Sequence, residues 1–379
     1  MRILVSIKNM EDAAGGAERV ISQLLPALVA RGHEIHLVTL DRPSAESFYS
    51  LPQAVSWTKL GTAGNGAKLT PLRFLRSVAA LRRAARGIAP DVAVGIMHSL
   101  YVPLAAALLG TRIPLVASEH IVAEHYRKRP MEYLLLCLAS LRARYVTVLS
   151  QAIALQFPAI VRARAIPIPN PVPVPPAAAS GNAPARDGQA PRVLTMGRLY
   201  PQKDHPTLIR AVAQLLPEFP DMRLRIVGEG PMRADLEQLV QDLGVGACVD
   251  LPGRVRDTER EYANADLFVM PSLYESFGLV VAEALAHRVP VVAFRDCPGL
   301  REILTHDRDS VLVDPADRVT ALAGGIRDLL SDRARARRLG AQGPVSVARF
   351  APETVFDSWE AMLADAAGHG RRATPHPRP

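Results

Sequence analysis

At 379 residues the chain exceeds one compact core, and its 49% hydrophobic content is enough for two. Charged residues make up an ordinary 22%, and three scattered cysteines (Cys137, Cys248 and Cys297) lack metal-ligand spacing, so they read as reduced thiols of a cytosolic protein. The net charge of +8 is lopsided: residues 1–170 hold 20 Lys and Arg against 10 Asp and Glu, residues 171–379 hold 25 against 27, and an anionic partner is therefore expected at the first half.

The opening "MRILVSIKNM" has a strand pattern and none of a signal peptide's apolar stretch or cleavage site. Further strands are expected at 34–40, 91–96, 114–119 and 145–150, with helices between them at 17–30 and 71–87. Near-continuous apolar, β-branched strands separated by helices imply a parallel sheet covered on both faces. The longest apolar run, "YLLLCLASL" (133–141), is far short of the roughly 20 residues that a membrane span needs. The pattern then breaks at "NPVPVPPAAASGNAPARDGQAP" (170–191), a Pro/Ala-rich stretch with little to bury, which reads as a linker. Strand signals restart at 192–197, 224–228, 266–271 and 289–294. The expected organisation is α/β throughout. A Rossmann-like domain spans 1–169, the linker 170–191 and a second such domain 192–350. Residues 351–379 form a helix crossing back to the first domain and a disordered tail, and a ligand sits in the cleft between the domains.

Three stretches of the second half fall at the carboxyl ends of predicted strands, where open α/β sheets bind ligands. In "GRLYPQKDHPTLIRA" (197–211), Arg198 and Lys203 precede a helix expected to start near Pro206, and two cations beside a helix N-terminus suit a diphosphate. "VGEGP" (227–231) is a glycine-bracketed turn of low specificity. In "PSLYESFGLVVAEAL" (271–285), a helix can begin at Gly278, leaving the amides around Gly278 and Leu279 open to a phosphate. Glu283 then lies about one turn in, placed to accept hydrogen bonds from vicinal hydroxyls such as those of a ribose. Glu275, in the preceding loop, faces whatever lies beyond the phosphates. The bland alternative has Glu275 capping the helix and Glu283 paired with Arg288.

The Glu-x7-Glu spacing after a short apolar strand, with "GRLYPQKD" upstream, resembles the retaining family 4 glycosyltransferases of the GT-B fold, in which two Rossmann-like domains face each other across a cleft. The resemblance extends over nearly the whole chain through "GGAERVISQLLPALVARGHEIHLVT" (15–39), "LPGRV" (251–255) and "DPAD" (314–317). "SFY" (47–49), "ASEH" (117–120) and "PQKDHPTLI" resemble bacterial enzymes that extend polyprenyl-diphosphate-linked oligosaccharides or exopolysaccharide repeat units. It implies that Arg198 and Lys203 bind the donor diphosphate, Glu283 the ribose and Glu275 the transferred sugar, with Phe277, Gly278 and Leu279 between them at the donor. It also implies that His120 reaches the sugar near the reacting carbon, and that Gly15 and Gly16 lie close to donor phosphate and acceptor. The expected reaction is a metal-independent, retaining transfer of a hexosyl or N-acetylhexosaminyl unit from a nucleotide sugar, UDP rather than GDP, to a lipid-diphosphate-linked glycan.

No cofactor is expected. The D-x-D spacing at Asp307 and Asp309 reads as a turn, and the cations with the helix start supply the electrostatic stabilisation that a metal gives elsewhere. A same-face mechanism, in which the leaving phosphate helps deprotonate the acceptor, is preferred over the double displacement of retaining glycosidases.

On the acceptor side, "KLTPLRFLRSVAALRRAARGIA" (68–89) places Arg73, Arg76, Arg82, Arg83 and Arg86 beside Leu72, Leu75, Val78 and Leu81 at helical spacing. "HYRKRPMEYLLLCL" (125–138) puts cations ahead of another apolar run. Both patterns suit an anionic membrane surface, so a peripheral position at the cytoplasmic leaflet is expected. The rivals are a UDP-sugar epimerase or a phosphorylase on the same architecture and a basic nucleic-acid-binding protein. The last is disfavoured by 5% aromatics and dispersed charge, and a dinucleotide oxidoreductase by the lack of G-x-G-x-x-G after either first strand.

Overall fold

The computed structural model describes residues 1–11, 15–62, 70–175 and 190–368. Two compact units emerge, one formed by Met1–Pro171 with the segment from Pro352 onward, the other by Val172–Ala351. Most of the expected linker at 170–191, and nearly all of the expected tail "GHGRRATPHPRP", lie outside the described residues.

In the first unit, β1 (Arg2–Ile7), β2 (Glu34–Thr39), β3 (Ser56–Lys59), β4 (Val92–Ile96), β5 (Leu115–Ser118), β6 (Ala143–Val148) and β7 (Ala165–Pro167) form one sheet. Its order is β3-β2-β1-β4-β5-β6-β7, and every pairing is parallel. Ile3, Val5, Val94 and Val116 are buried in one core with Ile21 and Leu25 of the Gly16–Ala30 helix. The Pro352–Ala366 helix adds Trp359 and Leu363 to that core. Arg31 fans across the joint to Glu353, Asp357 and Glu360 at 2.7–3.0 Å.

The second unit repeats the plan with β8 (Arg192–Met196), β9 (Arg223–Val227), β10 (Val249–Gly253), β11 (Leu267–Met270), β12 (Val291–Phe294) and β13 (Ser310–Val313). The strands are again parallel, in the order β10-β9-β8-β11-β12-β13. Chain order runs outward in opposite directions from the adjacent strands β8 and β11. Their carboxyl ends therefore define the switch point at which such sheets open a ligand crevice. The loop after β8 carries Arg198 and Lys203, and the loop after β11 carries Glu275. In the first unit the switch point falls between β1 and β4.

Candidate functional site

After β8 the chain passes through Gly197 into a single 3-10 turn, Pro201–Lys203, and then the His205–Leu215 helix. Gly228 lets the β9 loop close against this segment, because a Cβ there would stand 1.9 Å from the Gly197 carbonyl oxygen. The glycine-bracketed turn thus has a packing reason. Lys203 is turned inward: its Nζ lies 2.6 Å from Glu275 Oε1, with the two side chains only 14% and 12% exposed. Ser272 Oγ donates to the same carboxylate oxygen at 2.6 Å. Arg198 is exposed, with its guanidinium 5.0 Å from the Tyr200 ring centroid. His205 is buried, and desolvation together with the Lys203 charge lowers it to about 4, so it stays neutral beside the cations.

The loop after β11 ends at Gly278, the N-cap of the Leu279–Ala286 helix, with φ +77. That is the left-handed region, and a Cβ there would also meet Leu300 at 2.3 Å, so glycine is required for the chain to enter the helix on this line. Among the described residues no side chain caps this start, in contrast to the bland expectation for Glu275, whose carboxylate accepts from Lys203 and Ser272 instead. Glu283, one turn in, is 3% exposed and accepts a 2.8 Å hydrogen bond from the Tyr262 hydroxyl. Tyr262 comes from the Thr258–Ala263 helix and stacks on His287 at 4.9 Å, and sequence patterning gave no signal for it. The Phe277 side chain is buried edge-on against Phe350 at 5.1 Å. The aspartates of the D-x-D spacing are both engaged: Asp307 pairs with Arg335, while Asp309 accepts from the Thr305 amide and the Ser346 hydroxyl.

In the first unit, Gly15 caps the Gly16–Ala30 helix, and residues 12–14 of its loop lie outside the described residues. His120 follows β5. Thr147 donates to Ser118 Oγ at 2.8 Å, and Ser118 Oγ stands 3.0 Å from His120 Nε2. Desolvation lowers His120 to about 4, and a neutral ring accepting from Ser118 carries its proton on Nδ1. Its neighbour Glu119 is buried and accepts from the Tyr101 hydroxyl (2.7 Å), the Tyr126 hydroxyl (3.1 Å) and the Ile121 amide (2.9 Å). Burial nevertheless pushes this carboxyl up to about 7. His98, 2.7 Å from the Tyr126 hydroxyl, is held down near 4 by desolvation. It follows Met97, a non-glycine residue at φ +64 where β4 ends. Pairwise spacing does not reveal this cluster.

The arginines of the Pro71–Ile88 helix separate into two roles. Arg82 is structural, donating to the carbonyls of Ala107 and Leu109 at 2.8 Å. Arg76 and Arg83 are exposed and Arg73 half-buried. The apolar stripe divides as well, with Leu72 and Leu75 exposed but Leu81 buried. On the Pro130–Arg142 helix, Met131, Leu134, Leu135, Leu138 and Leu141 all face outward. Leu136, Ala139 and Ser140 point into the core.

Residues 14–174 match the family model for Glycosyltransferase Family 4, and residues 180–345 match that for Glycosyl transferases group 1, so the two models account for most of the chain between them. The chain belongs to glycosyltransferase family 4. Its fold is accordingly GT-B. The chain is 38% identical over 169 residues to an exopolysaccharide phosphotransferase of Streptomyces coelicolor, a match covering 44% of this chain and 18% of that protein. It is 36% identical over 165 residues to a GDP-mannose-dependent α-(1-6)-phosphatidylinositol monomannoside mannosyltransferase of Mycolicibacterium smegmatis, covering 41% and 43% respectively. The chain spans half or less of the curated relatives it matches. Among solved structures, Anabaena HepE in complex with UDP-glucose superposes with a TM-score of 0.78 at 21% identity, covering 96% of this chain and 100% of that one. At that identity the likeness concerns the fold.

In this family 4 glycosyltransferase, then, Lys203 and Glu275 are in contact across the β8 and β11 loops, and Glu283 is anchored in the helix that Gly278 starts. Arg198 lies open to solvent on the β8 loop. Among the described residues, no helix is long and apolar enough to cross a membrane.

Proposed function

We propose that the chain transfers a hexosyl or N-acetylhexosaminyl unit, with retention, from a nucleoside-diphosphate sugar to a lipid-diphosphate-linked glycan during polysaccharide assembly. One observation carries the donor half of this reading: the Lys203–Glu275 pair at the switch point of the second sheet, on the loop that leads into the uncapped helix start at Gly278. A diphosphate arriving there meets Lys203, Arg198 and the leading amides of the helix, which together hold two negative charges. Glu283 takes the ribose hydroxyls, and Glu275 the hydroxyls of the sugar.

In the transfer step, the acceptor oxygen bonds to the anomeric carbon as the bond from that carbon to the β-phosphate oxygen breaks. The departing phosphate oxygen keeps the electron pair and takes the acceptor's proton. Lys203, Arg198 and the helix amides oppose the charge growing on the phosphate, without a metal. A same-face course is favoured over a covalent glycosyl-enzyme because Glu275 Oε1 already holds both Lys203 and Ser272, which weakens it as a nucleophile. His120, neutral and held by Ser118, is assigned to the sugar.

The nucleotide is proposed to be UDP, in keeping with the UDP-glucose complex of the superposable structure, although one relative is named for GDP-mannose. Thermal stabilisation by a panel of UDP- and GDP-sugars separates the two. A ligand at 100 times its dissociation constant adds about 2.7 kcal/mol, and Lys203→Met should abolish the shift. Stabilisation that survives in Lys203→Met would refute the site, and conversion of the donor without acceptor would indicate an epimerase.

The acceptor reading draws on the outward apolar face of the Pro130–Arg142 helix, preceded by Arg127, Lys128 and Arg129, and on the exposed Arg76 and Arg83. Such surfaces suit the interface of an anionic leaflet, on its cytoplasmic side in this reading. Sedimentation with phosphatidylglycerol vesicles at low salt tests it. Binding lost in Leu134→Glu/Leu138→Glu is expected, and an unbound parent protein would refute it.

A further inference from the structure

Arg318, the first residue of the Arg318–Ser331 helix, reaches the roots of both donor loops. Its Nε donates to Asp204 Oδ2 at 3.0 Å, and one terminal nitrogen donates to the Pro271 carbonyl at 2.6 Å. The guanidinium lies 3.6 Å from the centroid of the Phe294 ring, and the other terminal nitrogen is 4.0 Å from Asp296. Asp204 directly follows Lys203. It sits at φ +48 in the N-cap position of the His205–Leu215 helix and accepts the Thr207 hydroxyl through its other oxygen at 2.8 Å. Pro271 directly precedes Ser272, the residue that donates to Glu275. One planar cation therefore ties the residue after Lys203 to the stretch that aims Glu275.

We propose that Arg318 is a positioning residue that fixes the spacing of the two donor loops, and through it the Lys203–Glu275 contact on which donor recognition rests in the reading above. The chemistry calls for arginine. Its rigid fork donates in two directions at once while its face stacks on an aromatic ring, whereas a lysine offers a single point charge that serves only one loop. Asp204 gives the clamp its specificity. A residue held in the left-handed region persists only where its surroundings determine it, and Arg318 with Thr207 supplies that constraint.

The consequence is coupling at a distance. If Arg318 merely stabilised the unit, its removal would add independently to the loss of Lys203 or Glu275. If it sets their spacing, the effects overlap. The first test needs no ligand. The urea midpoint of the full chain is measured for Lys203→Met, Arg318→Met and the double variant, and the penalty of Lys203→Met should fall by at least half in the Arg318→Met background. The second titrates UDP-glucose, with UDP and GDP alongside. Arg318→Met should weaken binding of the preferred nucleotide ligand about 10-fold, and Arg318→Lys should recover only part of that. In a Glu275→Gln background, Arg318→Met should cost less than about threefold. Additive midpoint shifts, or an Arg318→Met protein that binds like the parent while Lys203→Met and Glu275→Gln do not, would overturn the proposal. If Lys203→Met and Glu275→Gln themselves bind like the parent, the donor reading falls and the role of Arg318 falls with it.

Discussion

Replacing Lys203 with methionine is the most informative single perturbation, because its effect can be worked from the geometry. Nζ and Glu275 Oε1 stand 2.6 Å apart in side chains only 14% and 12% exposed. At an effective dielectric of about 20, that separation corresponds to a gross attraction of about 6 kcal/mol, offset in large part by desolvation. Removing one partner leaves the other charge buried, which costs roughly 3–5 kcal/mol in such pairs. Ser272 continues to donate to the stranded carboxylate, so the lower end, about 3 kcal/mol, is expected. With a urea slope of about 2 kcal/mol/M for a unit of this size, the midpoint of the second unit should fall by about 1.5 M. The double variant Lys203→Met/Glu275→Gln removes the stranded charge and should recover more than half of that loss. The two units are fitted as separate transitions, since a chain of two units need not unfold in one step. A midpoint shift below about 0.3 M, or a double variant as unstable as the single one, would refute the claim that these side chains neutralise each other in the free protein.

Glu283→Gln should weaken UDP binding roughly 10- to 100-fold by turning a charge-assisted acceptor into a neutral one, while Tyr262→Phe has a smaller effect; calorimetric titration reads both. Gly278→Ala forces a side chain into φ +77 and against Leu300, so a loss on the order of 1–3 kcal/mol is expected by urea unfolding, together with weaker nucleotide binding. Glu119, pushed up to about 7 from an ordinary value of 4.5, holds more protons folded than unfolded between those limits. Its contribution is therefore full below about 4.5 and lost as pH rises through 7. His98 and His120, held near 4, act in the opposite sense, so the comparison must be made against Glu119→Gln. The stability gap between parent and variant should narrow by on the order of 3 kcal/mol from pH 5 to pH 8, and a gap independent of pH would contradict the assignment.

The strands that the sequence revealed and those it hid differ by position. The interior strands, such as "VAVGI" of β4 and "LFVM" of β11, are buried on both faces and therefore spell unbroken apolar runs. The four that patterning misses, β3, β7, β10 and β13, are the edges of the two sheets. β3 reads "SWTK", half-exposed and mostly polar; β7 is three residues long; β10 carries a proline, which edge strands tolerate. At the site, glycine chemistry and charge made the helix start at Gly278 and the pair of loops legible. The partners of the carboxylates were not: Tyr262 meets Glu283 from 21 residues away, and Tyr101 and Tyr126 meet Glu119 from either side in sequence. Arg82 illustrates the converse. It looks like a surface cation in a basic stripe, yet it is held by two carbonyls at the end of the neighbouring His98–Ala107 helix.

A co-crystal structure of the full chain with the best-stabilising nucleotide sugar tests the central claim most directly. Both phosphates are expected within hydrogen-bonding distance of Lys203, Arg198 and the amides at Gly278 and Leu279, with Glu283 on the ribose hydroxyls and Glu275 on the sugar. A nucleotide bound elsewhere, or a diphosphate that leaves the Lys203–Glu275 pair untouched, would contradict it.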